Sequence, residues 1–158
     1  MTEPEEMLKL YKDLAIKTNG KAWSLLEKSQ RTRVDDLELI EAGYVSLHHW
    51  RLAGTAVHLQ RAHWLLAHIF TILHQPDLAL AHAQVCLDLT SKYSTEMADF
   101  DQAYALEGMA RAHALNHQVS EAGKYRLQAA ELGASIEDSE DRKIFLADFD
   151  GGEWFGVQ

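Results

Sequence analysis

The sequences QRAHWLLAHIFTILHQPDLALAHAQVCLDLTS at positions 60–91 and AYALEGMARAHALNHQVSEAGKYRLQAAELGA at positions 103–134 decide the fold. Aligned without a gap they share six identical pairs, each 43 positions apart: Ala62/Ala105, Ala67/Ala110, His74/His117, Gln75/Gln118, Ala79/Ala122 and Leu89/Leu132. A constant offset is harder to obtain by chance than any single match. The two stretches are therefore predicted to be two copies of one helix-turn-helix unit, packed side by side.

The composition favours one globular domain, because hydrophobic residues make up 47% and charged residues 25% of the 158 positions. A net charge of −9 disfavours nucleic acid as a partner, since neutralising phosphates requires surplus Lys and Arg. No stretch approaches the roughly 20 apolar residues of a membrane span, and the acidic start at Met1–Glu6 carries no secretory signal. The single Cys86 cannot form an internal disulfide. We therefore expect a cytoplasmic protein.

An all-α fold is predicted from the scarcity of helix breakers. Only two prolines interrupt the chain, and runs of alternating apolar and polar residues rich in Val, Ile and Thr are missing. The expected layout is one domain, 1–158, with about seven or eight helices. It comprises N-terminal helices in 1–54, the repeated units 60–91 and 103–134, a capping helix in 135–150 and a tail, residues 151–158.

Local signals place several helix ends in the N-terminal part. Thr2 is a hydroxyl cap, followed by proline and by a glutamate that closes a capping box. Asn19-Gly20 is a stop signal, so a separate short helix is expected over Ala22–Lys28. Thr32 is placed to cap the next helix.

Other signals concern packing and the turns inside the repeated units. Gly43 lies in a helical pattern, where glycine is unfavourable by about 1 kcal/mol relative to Ala, and this predicts that another helix approaches closely. Pro76 cannot extend the helix before it, so Asp77 is predicted to cap the next one. Ser120 is expected to do the same in the second copy. The last helix is predicted over Ser135–Asp150.

The paired pattern resembles the tetratricopeptide repeat, in which small residues lie where two helices touch. The first copy carries Trp64, Leu66, Ala67 and Phe70, then Ala79, Ala83 and Cys86; the second carries Leu106, Met109 and Ala110, then Ala122 and Ala129. The segments 46–50 and 101–112 are also similar to bacterial single-domain proteins of this repeat class. Ala67 against Ala79 lets two helix backbones approach, whereas a larger side chain would separate them.

The resemblance implies a right-handed stack of antiparallel helix hairpins with a concave groove along the first helices. Some features depart from the family pattern: His113 stands in the place of Phe70, and Arg126 stands in the place of Ala83. The spacing of 43 also exceeds the usual repeat length of about 34 residues. Either the helices or the connection between the units must therefore be longer.

By this resemblance, one set of side chains is assigned to the groove as a partner-binding site. It comprises Arg61, Trp64, His68 and Thr71 from the first copy and Tyr104, Glu107, Arg111 and Ala114 from the second. The arginine guanidinium groups are suited to a carboxylate-bearing segment, and the rings supply contact area. The alternative is that Glu107 and Arg111 form an ordinary i, i+4 pair on a solvated helix face.

The histidines raise a second hypothesis, a metal-dependent hydrolase or small-ligand sensor built around His63, His68 and His113. No HExxH motif or carboxylate at ligand spacing accompanies them, so no metal or catalytic residue is assigned. Cys86 is expected to serve packing, because its counterpart in the second copy is alanine. Phosphate-binding and dinucleotide-binding glycine motifs are also missing, and no cofactor is expected.

Taken together, these patterns predict a non-enzymatic scaffold or adaptor that binds a peptide or partner protein in its groove. Trp154 and Phe155 follow a Gly-Gly pair in the tail. The preferred interpretation is that they cover the exposed end of the last helix pair, as a helical stack requires. A homodimer formed through the tail stays open as an alternative.

Overall fold

The computed structural model describes residues Met1–Gln158 and contains seven α-helices and no strand, which confirms the all-α prediction. They are α1 (Glu3–Leu26), α2 (Arg33–Ala53), α3 (Ala56–Ile72), α4 (Pro76–Lys92), α5 (Asp99–Leu115), α6 (Val119–Ala134) and α7 (Ser139–Asp150). A short 3₁₀ turn, Ser94–Glu96, lies between α4 and α5. None of the helices combines the length and apolar character that crossing a bilayer requires.

The predicted break in the first helix is wrong. Instead of ending at Asn19-Gly20, with a separate helix over 22–28, α1 continues to Leu26. A Cβ at Gly20 would meet no other atom within 4 Å, so the glycine marks neither a turn nor a close contact. Ala22 and Leu25 belong to a buried cluster formed with α2 and α3, and this packing outweighs the weak helix propensity of glycine.

The last helix is shorter than predicted, because it begins at Ser139 rather than Ser135. The Asp138 carboxylate caps it by accepting a hydrogen bond from the backbone N–H of Asp141 at 2.9 Å. Ile136 lies before the cap with its side chain in the core, 1% exposed. The segment between α6 and α7 is thus a non-helical connection that is exposed except for the buried side chain of Ile136.

Helix capping follows the prediction in the N-terminal half and departs from it in the repeated units. Thr2 forms the predicted capping box, and Thr32 caps α2 as predicted, there too through a capping box. The predictions for Asp77 and Ser120 are wrong, because α4 and α6 each begin one residue earlier than those positions. Both residues therefore lie inside the first helical turn, where they make no capping hydrogen bond.

The two repeated units turn in the same way. His74 and His117 adopt left-handed backbone conformations, with φ of 56° and 58°. The backbone N–H of the next residue, Gln75 or Gln118, bonds to a carbonyl of the last helical turn at 2.8 and 2.9 Å. This is the Schellman arrangement, and histidine is among the residues that tolerate its left-handed position. The identical His-Gln pairs therefore reflect a shared turn geometry.

The helices form hairpins that pack beside one another. α1 pairs with α2, α3 with α4 and α5 with α6, while α3, α5 and α7 also contact each other in that order. The main core lies between α2, α3, α4 and α5 and contains Ala67 and Ala79, both almost fully buried. Gly43 is approached closely, as predicted, since a Cβ there would lie 2.9 Å from Leu66 Cδ2.

Two glycines on α6 provide a matched test of this packing. A Cβ at Gly133 would lie 2.1 Å from Phe145 Cε1, whereas a Cβ at Gly123 would meet nothing within 4 Å. Gly133→Ala is therefore expected to lower the free energy of unfolding by about 1–3 kcal/mol through overpacking. Gly123→Ala should raise it by about 0.5–1 kcal/mol. Urea denaturation measures both, and equal effects would contradict the tight packing of α7 on Gly133.

Candidate functional site

Seven of the eight residues assigned to the groove line two adjoining cavities of about 360 and 310 Å³, which we call the cleft. The larger cavity is lined by Trp64, His68, Thr71, Glu107 and Arg111, and the smaller one by Arg61, Trp64 and Tyr104. Trp23 and Asp148 line both, although the sequence did not suggest either. Ala114, by contrast, is buried away from the cleft beside Ala122. The structure brings the seven residues together, and their role in binding stays a prediction.

Aromatic rings from three helices form one wall of the cleft. Trp64 of α3 stacks on His68, with ring centroids 5.0 Å apart, and on Trp23 of α1 at 6.1 Å. Tyr104 of α5 meets Trp64 edge to face at 5.2 Å. Such an arrangement buries large apolar area in fixed geometry and leaves ring surface beside the cavities.

A buried polar chain joins the two repeated units across the cleft. Trp64 Nε1 donates to Glu107 Oε2 at 3.0 Å, and Arg111 Nε donates to Glu107 Oε1 at 2.6 Å. The Glu107 and Arg111 side chains are only 4% and 7% exposed. They form an i, i+4 pair, but the alternative that placed it on a solvated face is wrong. Trp64 and Glu107 occupy equivalent positions of the two copies, so this hydrogen bond links the repeat to itself.

Arg111 also holds the tail. Its Nη1 donates to the carbonyl of Glu153, and its Nη2 donates to the carbonyls of Asp148 and Gly151, all at 2.9 Å. The guanidinium lies 4.0 Å from the ring centroid of Trp154. The repeat resemblance predicts that this guanidinium faces a partner's carboxylate, whereas in the structure it faces Glu107 and the chain's own backbone.

The other arginine of the cleft is paired as well. Arg61 Nε and Nη2 donate to the two carboxylate oxygens of Asp101 at 2.9 and 3.1 Å. The Asp101 side chain is 3% exposed, so Arg61 neutralises a buried charge. Two other carboxylates, Asp148 and Glu153, line the larger cavity without a lysine or arginine partner. The cleft therefore carries an excess of negative charge.

The titratable groups of the cleft are shifted by their surroundings. Burial lowers the pKa of His68 to about 4, and the Arg111 charge adds to this, so the ring is neutral at pH 7. Burial and the hydrogen bond to Asp148 raise the pKa of Tyr104 well above its ordinary value, so the phenol stays protonated and donates to that carboxylate. Burial raises the pKa of Glu107, while the Arg111 guanidinium and the Trp64 indole oppose that rise.

The three histidines of the metal hypothesis lie in different places. His63 faces His82 of α4, with their Nδ1 atoms 3.1 Å apart, whereas His68 lines the cleft. His113 stacks on Tyr125 of α6 at 5.5 Å. No group of three or more His, Cys, Asp or Glu side chains is placed to hold a metal ion. The three histidines are thus not brought to one site.

Cys86 lies inside the molecule, with 1% of its surface exposed. Burial raises the pKa of its thiol well above the ordinary value, which keeps it protonated. The location agrees with the packing role expected from the repeat.

The tail folds back over the last helices. Trp154 packs edge to face on Phe149 at 5.3 Å, and its Nε1 donates to the Phe149 carbonyl at 3.0 Å. Phe155 and Val157 pack beside Ala114 and Ala122 at the turn between α5 and α6. The aromatic residues therefore cover the last hairpin, and the backbone between them and α7 closes one side of the larger cavity.

Comparison with known proteins gave no matching family model, no matching curated protein and no matching solved structure. The tetratricopeptide-like pattern therefore stays a resemblance of sequence. Any functional proposal rests on the geometry and chemistry of the cleft.

Replacing Arg111 tests the contribution of the buried hydrogen-bonded network of Trp64, Glu107 and Arg111 to stability. Arg111→Met is expected to lower the free energy of unfolding by about 3–5 kcal/mol, because it leaves the Glu107 carboxylate buried without its cation. Adding Glu107→Gln should restore part of the loss, since a neutral amide still accepts a hydrogen bond from Trp64. Urea denaturation of both single variants and the double variant gives the coupling, with Arg33→Met on exposed α2 surface as the control. If the changes in unfolding free energy of the two single variants simply add in the double variant, Arg111 and Glu107 are not energetically coupled and the prediction is wrong.

The buried histidines predict a loss of stability in mild acid. Burial lowers the pKa of both His63 and His68 from 6.5 to about 4, so the unfolded chain binds more protons between these values. Their contribution is complete above about pH 6.5 and is lost as the pH falls towards 4. Each adds a slope of up to about 1.4 kcal/mol per pH unit.

Urea denaturation between pH 6.5 and about 5 measures this slope, which should be smaller in the double variant His63→Gln, His68→Gln. The variant His48→Gln, which removes an exposed imidazole, is the control. An unchanged slope in the double variant would show that these rings do not carry the effect.

Proposed function

We propose that this chain is a non-enzymatic interaction module that binds a peptide or a segment of a partner protein in the cleft. The observation that carries the proposal is the tail, an irregular segment already bound beside the cleft through its main-chain carbonyls. The tail carbonyls of Gly151 and Glu153 accept hydrogen bonds from Arg111. A surface that binds one irregular segment by its backbone has the chemistry to bind another.

We further propose that the hairpins form a tetratricopeptide-like stack with the cleft on its concave side. Support comes from the shared turn geometry of the two copies and from the order of contacts α3, α5, α7. The long spacing of 43 has two sources: α3 and α4 each span 17 residues, and the connection 93–98 contains the 3₁₀ turn.

The rigidity of the cleft favours binding over chemistry. Trp64 is fixed by its hydrogen bond to Glu107 and by stacking on His68, so its ring is ordered before any ligand arrives. A pre-ordered aromatic residue loses little conformational entropy on binding. Tyr104 is likewise fixed on Asp148. These side chains are therefore suited to serve as anchors for a bound segment.

A random peptide library displayed on phage tests the proposal without a known partner. Selection on the wild-type protein is expected to enrich a family of related peptides. Trp23→Ala removes a ring that is 36% exposed and lines both cavities, so it should weaken the selected peptides at least about tenfold. Leu127→Ala removes an exposed apolar side chain from α6 and is the control. Failure to enrich any family, or peptides that bind Trp23→Ala as tightly as wild type, would reject the proposal.

A further inference from the structure

We propose that the larger cavity of the cleft binds an organic cation, an ammonium group that carries alkyl substituents. The bound cation contacts the indoles of Trp23 and Trp64 and the carboxylates of Asp148 and Glu153. The inference deepens the proposed function and rests on the same cleft. The cation belongs either to a lysine side chain of a bound segment or to a free alkylammonium compound, and both present the same chemistry.

The charges around the cavity favour a cation. Three carboxylates line it, those of Glu107, Asp148 and Glu153, against the single guanidinium of Arg111. Arg111 is already committed to Glu107 at 2.6 Å, which leaves two negative charges without a lysine or arginine. Glu153 has only His74 Nε2 nearby, at 3.8 Å. An anion placed here would meet repulsion, whereas a cation would neutralise the site.

The groups beside these carboxylates also suit a cation with apolar substituents. Trp23, Trp64 and Phe155, from three separate segments, contribute aromatic surface to the cavity. Aromatic faces attract ammonium groups through their quadrupole and give alkyl substituents an apolar contact. The neighbouring His68 is neutral at pH 7, because burial lowers its pKa to about 4, and so it does not repel a cation. The volume of about 360 Å³ accommodates a small alkylammonium group.

The two carboxylates come from different parts of the chain and are brought together at the cavity by the fold. Asp148 lies near the end of α7 and Glu153 lies in the tail, and the hydrogen bonds of Arg111 to both backbones hold them at the cavity. The net charge of −9 adds a long-range attraction for positive ligands. The charge pattern thus favours a cation over the carboxylate-bearing segment expected from the sequence as the ligand of this cavity.

Titration with tetramethylammonium chloride tests the proposal, with sodium chloride at equal ionic strength and tert-butanol as the neutral comparison. The readout is the set of tryptophan indole N–H signals in a ¹H–¹⁵N spectrum, assigned with single Trp→Phe variants. The signals of Trp23 and Trp64 should shift and saturate. Trp50 stacks on His58 outside the cleft and should not move, so it serves as an internal control.

Two variants connect the effect to the carboxylates. The double variant Asp148→Asn, Glu153→Gln is expected to weaken binding roughly tenfold, because it removes both uncompensated charges. Asp150→Asn removes an exposed carboxylate from the same helix and should leave the affinity unchanged. The proposal is overturned if tert-butanol produces the same shifts, if Trp50 moves equally, or if the double variant binds as tightly as wild type.

A second titration distinguishes the two sources of the cation, a lysine side chain of a bound segment and a free alkylammonium compound. A short Gly/Ala peptide with one central lysine is compared with the same peptide carrying norleucine. Tighter binding of the lysine peptide than of tetramethylammonium assigns the site to a partner's side chain, and the reverse order assigns it to a free compound. If phage selection enriches peptides while neither cation binds, this inference fails and the proposed function stands. If selection also fails, both fail.

Discussion

The buried ion pair between Glu107 and Arg111 is the constraint on which the rest of the cleft depends. A guanidinium inside a protein needs both a counter-charge and acceptors for its remaining N–H groups. Glu107 supplies the charge from one helical turn away, but the acceptors are carbonyls of residues 148–153. The tail is therefore fixed over the cleft by a requirement that arises inside α5. Trp64 completes the network from α3, so the position of one arginine links three helices and the tail.

The pairing of buried carboxylates with arginines also determines the sign of the net charge at the surface of the cleft. Unpaired arginines in a groove would attract anions. Both arginines of the cleft, however, form ion pairs with the buried carboxylates of Asp101 and Glu107. The charges left at the cavity are those of Asp148 and Glu153, whose backbone carbonyls accept hydrogen bonds from Arg111. Pairing of both positive groups with buried carboxylates thus leaves a surface that contains two arginines with an excess of negative charge.

Contacts between the two repeated units could be predicted from the sequence better than contacts made by segments outside them. The constant offset predicts that α3 and α5 lie side by side, and Trp64 and Glu107, 43 positions apart, do bond to each other. Trp23 and Glu153 could not be assigned in this way, because α1 and the tail lie outside the repeat and reach the cleft only through long-range packing. The stop signal at Gly20 failed for a related reason: burial of neighbouring side chains, which a local pattern does not contain, decides whether a helix continues.

The way the tail is bound limits how a ligand enters. Displacing it would remove the Glu153 carbonyl from Nη1 and the Gly151 carbonyl from Nη2 of a buried arginine, at about 1–3 kcal/mol for each lost hydrogen bond. A partner that replaced the tail would have to supply carbonyls at the same positions. A ligand that enters beside Trp23, where α1 leaves ring surface exposed, has no such requirement. The tail is thus better understood as one wall of the cleft than as a plug, and the carboxylate of Glu153 is held at the cavity because Arg111 binds the tail backbone.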